Sequence, residues 1–229
     1  KGNLLPLVVT DPPYNVAQDT GLYAQNVSKS LNSLSKSEWD FDFVPKKFLD
    51  NIKKTLSADS WLYVFTSHAL FGEIVEWMNE QRGHACFCVW CKPNPMPSLA
   101  KNTWTFGAEL CPFSKQGKPV FNYPDGEHCL NWWPIRKNSD GTHPTQKTVE
   151  VIAQIIKYCS SKGDLVGDFF LGSGTTLIAA DQLNRICYGM EISPKYCHVI
   201  IERYKKHCEK VGKPFECKIN GEPFNGASN

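Results

Sequence analysis

Near the start of the chain, VVTDPPYNV (Val8–Val16) sets a carboxylate, two prolines and an aromatic ring directly after an apolar run. The run reads as a buried strand that stops at Thr10. Adjacent prolines bar both a helix start and ladder pairing. Asp11, Pro12, Pro13 and Tyr14 therefore form a rigid, donor-poor turn, with an acceptor at one side and a ring at the other. A second chemical stretch is DLVGDFFLGSGTTLIAA (Asp164–Ala180). A short strand ends there in Asp168, Gly172 and Gly174 make a turn, and a helix opens at Thr175. Such glycines let backbone approach a ligand closely, and the helix start offers unpaired N–H groups. A P-loop needs a lysine after its last glycine, and the dinucleotide fingerprint needs a third glycine. Neither is present. What remains is a glycine loop followed, one strand later, by Glu191 in RICYGMEISPKYC. An acid at that point in an α/β nucleotide fold holds a ribose through its two hydroxyls. The ligand is expected to carry an adenosine without a phosphate clamp.

The elements that must position these groups alternate along the chain. Strands are expected over Leu7–Thr10, Trp61–Thr66, Ala85–Trp90, Leu110–Phe113, Asp164–Asp168 and Ile186–Glu191. Helical spacing covers Val44–Thr55, Leu70–Gln81, Thr148–Ser160, Thr175–Leu183 and Pro194–Lys210. This predicts a doubly wound α/β domain with a mostly parallel sheet, and ligands at the carboxyl ends of its strands. Residues 1–229 read as one domain. Asn15–Ser37, rich in Ser and Asn, is expected to be a mobile functional loop. Asn122–Gly141, which holds Trp132 and Trp133, also breaks the alternation, and Gly221–Asn229 reads as a loose tail.

Composition excludes several classes. With 41% hydrophobic and 21% charged residues, the chain is that of a soluble globular protein, and no apolar run is long enough to cross a bilayer. No secretory leader is evident at the start. A net charge of +2 permits a local basic surface without advertising one. Ten cysteines scattered through apolar runs, Cys86, Cys88 and Cys187 among them, read as buried thiols in a reducing, intracellular compartment. Cys86, Cys88 and Cys91 lack a histidine pair at zinc spacing, and no metal is expected.

Five motifs together resemble those of the amino-methylating DNA methyltransferases, which act on adenine N6 or cytosine N4. The tetrad at Asp11–Tyr14 resembles their catalytic tetrad, and Asp168 to Thr176 their S-adenosylmethionine motif. VWCKPNPMP (89–97) is similar to their lysine–proline turn, and GMEISPKYCHVIIERY (189–204) to the segment after the second strand. HPTQKT (143–148) resembles the segment before the cofactor motif, with Thr148 where a proline is usual. The order of tetrad, recognition region (about 92–141) and cofactor motif is the permuted β-type arrangement, and the likeness spans about residues 7–206.

The resemblance implies a Rossmann-like methyltransferase fold, S-adenosylmethionine as cofactor and DNA as partner. An exocyclic amino group is a poor nucleophile because its lone pair is delocalised into the ring. Acceptors on its two N–H groups favour a pyramidal nitrogen; Asp11 supplies one, and the Pro12 carbonyl, aimed by Pro13, the other. Tyr14 offers a ring for a base flipped from the duplex. Asp168, Phe169, Phe170, Gly172, Ser173, Gly174, Thr175 and Thr176 are implied as the cofactor loop, with Glu191 at the ribose. His143, Thr145, Gln146 and Lys147 are implied near the methionine end, although His143 reads equally as structural and Lys147 as a solvated helix-start lysine. An aspartate opening the tetrad favours N6 of adenine. Cytosine N4, or a binding subunit that needs a partner for activity, stand as alternatives.

DNA phosphates are expected to meet Lys92, Asn94, Lys101, Arg136 and Lys137, while Trp132 and Trp133 either stack on bases or pack. The loop 15–37 is the candidate to order over the flipped base. The mark serves either restriction–modification or regulation. Relatives usually carry a strand before the tetrad strand; PFECKI (214–219) either replaces it, or an open edge favours a homodimer or a partner subunit.

Overall fold

A computed structural model describes residues 4–14, 43–95, 104–126, 128–137 and 147–224. In chain order the elements are β1 (Leu5–Thr10), α1 (Pro45–Lys53), β2 (Leu56–Val64), α2 (His68–Arg82), β3 (Ala85–Cys91), β4 (Ala108–Gln116) and β5 (Trp132–Trp133). There follow α3 (Val149–Cys159), β6 (Leu165–Asp168), α4 (Thr175–Gln182), β7 (Ile186–Gly189), α5 (Pro194–Val211), β8 (Lys218–Ile219) and β9 (Glu222–Pro223). All six expected strands and five expected helices are present.

Seven strands form one sheet in the order β5-β3-β4-β2-β1-β6-β7. β1 pairs in parallel with β2 and β6, β6 with β7, and β3 with β5. β4 alone runs antiparallel to both neighbours. The sheet is doubly wound and mostly parallel, as expected. β1 reads LPLVVT because a central parallel strand is covered on both faces and needs apolar side chains in both directions. Leu7 and Val9 enter one core with Tyr63, Phe65, Trp90, Ile152 and Ile156; Val8 enters the other with Leu62, Val64, Leu49, Ile74 and Trp77.

Local chemistry sets the helix ends. Pro45 and Pro194 sit in the first turns of α1 and α5, where a missing N–H costs nothing. Gly212 closes α5 in the left-handed region at φ 68°. α3 turns a stripe of Val151, Ile152, Ile155, Ile156 and Cys159 inward. Each such side chain is worth about 1.5–3 kcal/mol when fully buried. α5 packs on α4, with Tyr204 and His207 both bonded to Asp181.

One open alternative is decided and one expectation is corrected. Residues 214–219 do not join the sheet: Lys218–Ile219 folds back on Glu222–Pro223. Asn220 and Gly221, at φ 53° and 88°, supply the tight turn that makes a hairpin there. Cys86 is exposed rather than buried, since it lies on β3 ahead of the covered Cys88 and Trp90. All ten cysteines are free. Among the described strands β7 is an edge, along which Ile186 and Tyr188 are exposed, as is Met190 just beyond. No helix of the described residues is long and apolar enough to cross a membrane.

Candidate active site

β1 and β6 run side by side, so their carboxyl ends deliver the tetrad turn and the glycine loop to the same place. The junction is explicit. Thr10, the last residue of β1, donates to Asp168 Oδ1 at 2.9 Å, and its hydroxyl accepts the Phe169 N–H at 3.2 Å. Asp168 Oδ1 also takes the Phe170 N–H, and Oδ2 takes the Thr176 hydroxyl at 2.6 Å. Its carboxylate is thus filled by protein donors and shapes the loop. Burial pushes the Asp168 carboxyl up to about 6, against the pull of those hydrogen bonds.

The loop beyond is fixed by backbone chemistry. Gly174 caps α4 at φ 82°, where a side chain would be strained and its Cβ would lie 3.3 Å from Ile200. Glu191 accepts from Gly172 N–H at 2.9 Å and Ser193 N–H at 2.8 Å, which holds the carboxylate against the glycine loop. Gly189 leaves room for Leu171, whose Cδ2 would lie 2.4 Å from a Cβ there and would have to move aside. Arg203 donates to the Ser173 carbonyl, the Ser173 hydroxyl and the Thr175 hydroxyl. Phe169 packs into the core beside α1, and Phe170 meets Phe43 and Phe48.

The tetrad side is built from charges. Tyr14 donates to Asp11 Oδ1 at 2.7 Å. Lys147 donates to Asp11 Oδ2 at 2.6 Å and to the Tyr14 hydroxyl at 3.0 Å. The same ammonium lies 2.9 Å from Glu109 Oε2, and Lys92 binds Glu109 Oε1. Lys147 is 7% exposed, so the solvated-lysine reading is excluded. Burial opposes its charge, yet Asp11 and Glu109 outweigh that and hold the ammonium well above the usual lysine range. Burial likewise pushes Tyr14 up, so its phenol keeps its proton. Burial pushes the Glu109 carboxyl up too, but Lys147 and Lys92 more than reverse this and bring it down to about 2. Thr175 donates to the Lys147 carbonyl at 3.3 Å, tying this lysine to the start of α4.

The structure therefore brings Asp11, Tyr14, Lys147 and the residues from Asp168 to Thr176 into one region, with Glu191 against the glycine loop. His143, Thr145, Gln146, Lys101 and the loop 15–37 lie outside the described residues. Asn94 exchanges two hydrogen bonds with the backbone of Lys137, so it anchors a loop. Lys92, expected at a phosphate, is paired with Glu109 instead. Trp133 packs against the core while Trp132 is 47% exposed. Glu109 was missed, although a lone acid in the apolar strand AELCPF is a legible oddity. Thr66 was missed as well. Among the described residues, Thr66 Oγ1 and Glu109 Oε2 are the buried side-chain polar atoms that make no hydrogen bond. Thr66 bridges to Leu110, the residue after Glu109, so both belong to this region.

Strand order, the reversed β4, the glycine loop after β6 and the acid after β7 define the fold of S-adenosylmethionine-dependent methyltransferases. A family model described as DNA methylase, of the N6 and N4 type, matches residues 101–202. The chain is 25% identical over 241 residues to the type II methyltransferase M2.MboI of Moraxella bovis, across 95% of this chain and 86% of that one. It is 26% identical over 234 residues to M2.DpnII of Streptococcus pneumoniae, across 91% and 85%. Among solved structures, the complex of M1.HpyAVI with S-adenosylmethionine superposes with a TM-score of 0.69 at 24% identity, over 88% of this chain and 90% of that one. The cytosine-N4-specific PvuII DNA methyltransferase gives 0.66 at 19%, over 92% and 85%. In sequence the chain is thus similar to DNA methyltransferases of the N6 and N4 type.

Proposed function

We propose that this protein transfers a methyl group from S-adenosylmethionine to the exocyclic N6 of adenine in DNA, with the target base flipped out of the duplex. The observation that carries the reading is the 2.9 Å bond from Thr10 to Asp168, which joins the tetrad turn to the cofactor loop across 158 residues of sequence. The residues present fit the cofactor. The left-handed Gly174 opens α4 toward the loop, and Glu191 is fixed beside Gly172 for two ribose hydroxyls. When bound, S-adenosylmethionine supplies a methyl already activated by its sulfonium. Asp11 and the Pro12 carbonyl accept the two N–H bonds of the amino group and turn its lone pair outward. Tyr14, whose hydroxyl is fixed by Asp11 and Lys147, presents its ring to the base. Catalysis then rests on positioning and fixed electrostatics.

Adenine is favoured because an aspartate opens the tetrad; the PvuII likeness keeps cytosine N4 as the second reading. With Lys92 held by Glu109, Arg136 and Lys137 are read as the cations on the side that meets the phosphates. We also read the β7 edge as the surface for a homodimer or partner subunit, and the enzyme as acting inside the cell. The test uses purified protein, methyl-labelled S-adenosylmethionine and unmethylated genomic DNA, digested afterwards to nucleosides. Label in 6-methyladenine supports the reading. Label in 4-methylcytosine overturns the base, and no label overturns the activity.

A further inference from the structure

Both oxygens of Asp11 are occupied by this chain's own donors. Tyr14 takes Oδ1 at 2.7 Å, and the Lys147 ammonium takes Oδ2 at 2.6 Å. Each oxygen keeps a second lone pair, but the ammonium at 2.6 Å competes with a neutral amino group for Oδ2, which holds the amino group most strongly when Lys147 draws away. Departure from a carboxylate inside a protein is expensive unless another anion is at hand, because an uncompensated buried charge costs several kcal/mol. Such an anion is in place. Glu109 Oε2 lies 2.9 Å from the same nitrogen, is shielded from solvent, and accepts no aligned hydrogen bond. Its other oxygen is pinned by Lys92, and its backbone is fixed by the register of β4 on β3, opposite Trp90.

We propose that Glu109 is a positioning residue that receives the Lys147 ammonium when the substrate amino group takes its place on Asp11. The inference rests on the methyl-transfer reading above and names a residue that the reading does not use. The exchange needs no net charge movement into the site. Lys147 trades one carboxylate for another nearby, and a neutral amino group replaces it on Asp11. Lys92 keeps Glu109 ionised throughout, and the Thr175 bond to the Lys147 carbonyl holds the lysine's backbone while its side chain moves. Without Glu109, the ammonium has Asp11 as its carboxylate partner and competes fully for that acceptor.

The prediction is a suppression that a merely structural role does not give. In single-turnover transfer at saturating cofactor, Glu109→Gln slows the reaction by about tenfold to a hundredfold. S-adenosylmethionine binding stays within about threefold, a difference of under ~1 kcal/mol. Removing the competing ammonium as well, in Glu109→Gln with Lys147→Met, regains about tenfold over Glu109→Gln alone. Glu109→Asp, which keeps the charge on a shorter arm, recovers part of the rate and guards against a folding artefact in the glutamine variant. A double variant no faster than Glu109→Gln, or Glu109→Gln at the wild-type rate, overturns the role of Glu109 and leaves the methyl-transfer reading intact. A wild-type protein that transfers no methyl overturns both.

Discussion

The two halves of the site are held together by different physics. Around the glycine loop, the carboxylates are filled by neutral donors: Asp168 by two threonine hydroxyls and an N–H, Glu191 by two backbone N–H groups. Around the tetrad, Asp11 and Glu109 are tied to lysines, and one oxygen of Glu109 lacks an aligned donor. Backbone-built sites have little to rearrange, which suits a cofactor bound the same way each turnover. Charge pairs with a spare acceptor can trade partners, which suits a base that enters and leaves. The two buried carboxyls show the contrast directly: burial wins at Asp168, raised to about 6, and the lysines win at Glu109, lowered to about 2.

The sharpest way to break the glycine side is Gly174→Val. A side chain at φ 82° is strained by about 1–3 kcal/mol, and its Cβ presses on Ile200. We expect cofactor affinity, followed by calorimetry, to fall by about tenfold or more, since 1.4 kcal/mol is a factor of ten. Thr176→Val is milder. It removes the 2.6 Å donor from Asp168 Oδ2 and should cost about 1–3 kcal/mol in denaturant unfolding, the penalty for an unsatisfied buried acceptor.

The pH dependence of stability separates the halves by sign. Asp168 has a folded value of about 6 against roughly 3.9 unfolded, so its proton binds more tightly in the folded state. Its stabilising contribution is complete below about pH 3.9 and is lost as pH rises through about 6. Glu109 has a folded value of about 2 against roughly 4.3 unfolded; its contribution is complete above about pH 4.3 and is lost as pH falls toward 2. Unfolding midpoints measured across this range should therefore show Asp168→Asn flattening the decline from about pH 4 to 6. Glu109→Gln should flatten the acid-side decline below about pH 4. The smallest expected effect lies outside both halves: exchanging the exposed Lys54, which bonds Asn51, for Ala should move stability by less than about 0.5 kcal/mol.

Most of the fold was legible because buried strands such as LVVT and WLYVF are apolar runs, and α3 carries an unbroken stripe. The direction of β4 was not, since side-chain alternation is the same for either orientation. Its length was also obscured by Pro112, which sits inside a central strand where a residue without an N–H is unexpected. β5 is too short, at two residues, to leave a pattern. In the site, the tetrad and the glycine loop stood out because prolines and glycines fix backbone shape, and shape is written locally. The ion network did not: Glu109 and Lys147 meet Asp11 only through the sheet, and nothing near Lys147 in sequence tells a buried lysine from a solvated one. The Asn220–Gly221 turn was present as a hairpin signal, and it decides against 214–219 reaching the sheet.

The division of labour within the site is tested most directly by Asp11→Asn, assayed in parallel for cofactor binding and for methyl transfer to DNA. The amide keeps the size of the side chain but loses the charge that holds Lys147 and, on the proposed mechanism, the substrate amino group. We predict S-adenosylmethionine affinity within about threefold of wild type and transfer reduced by about 10²-fold or more, the scale of losing one aligned electrostatic partner. Loss of cofactor binding together with transfer, or transfer at the wild-type rate, would contradict the assignment of Asp11 to the substrate side.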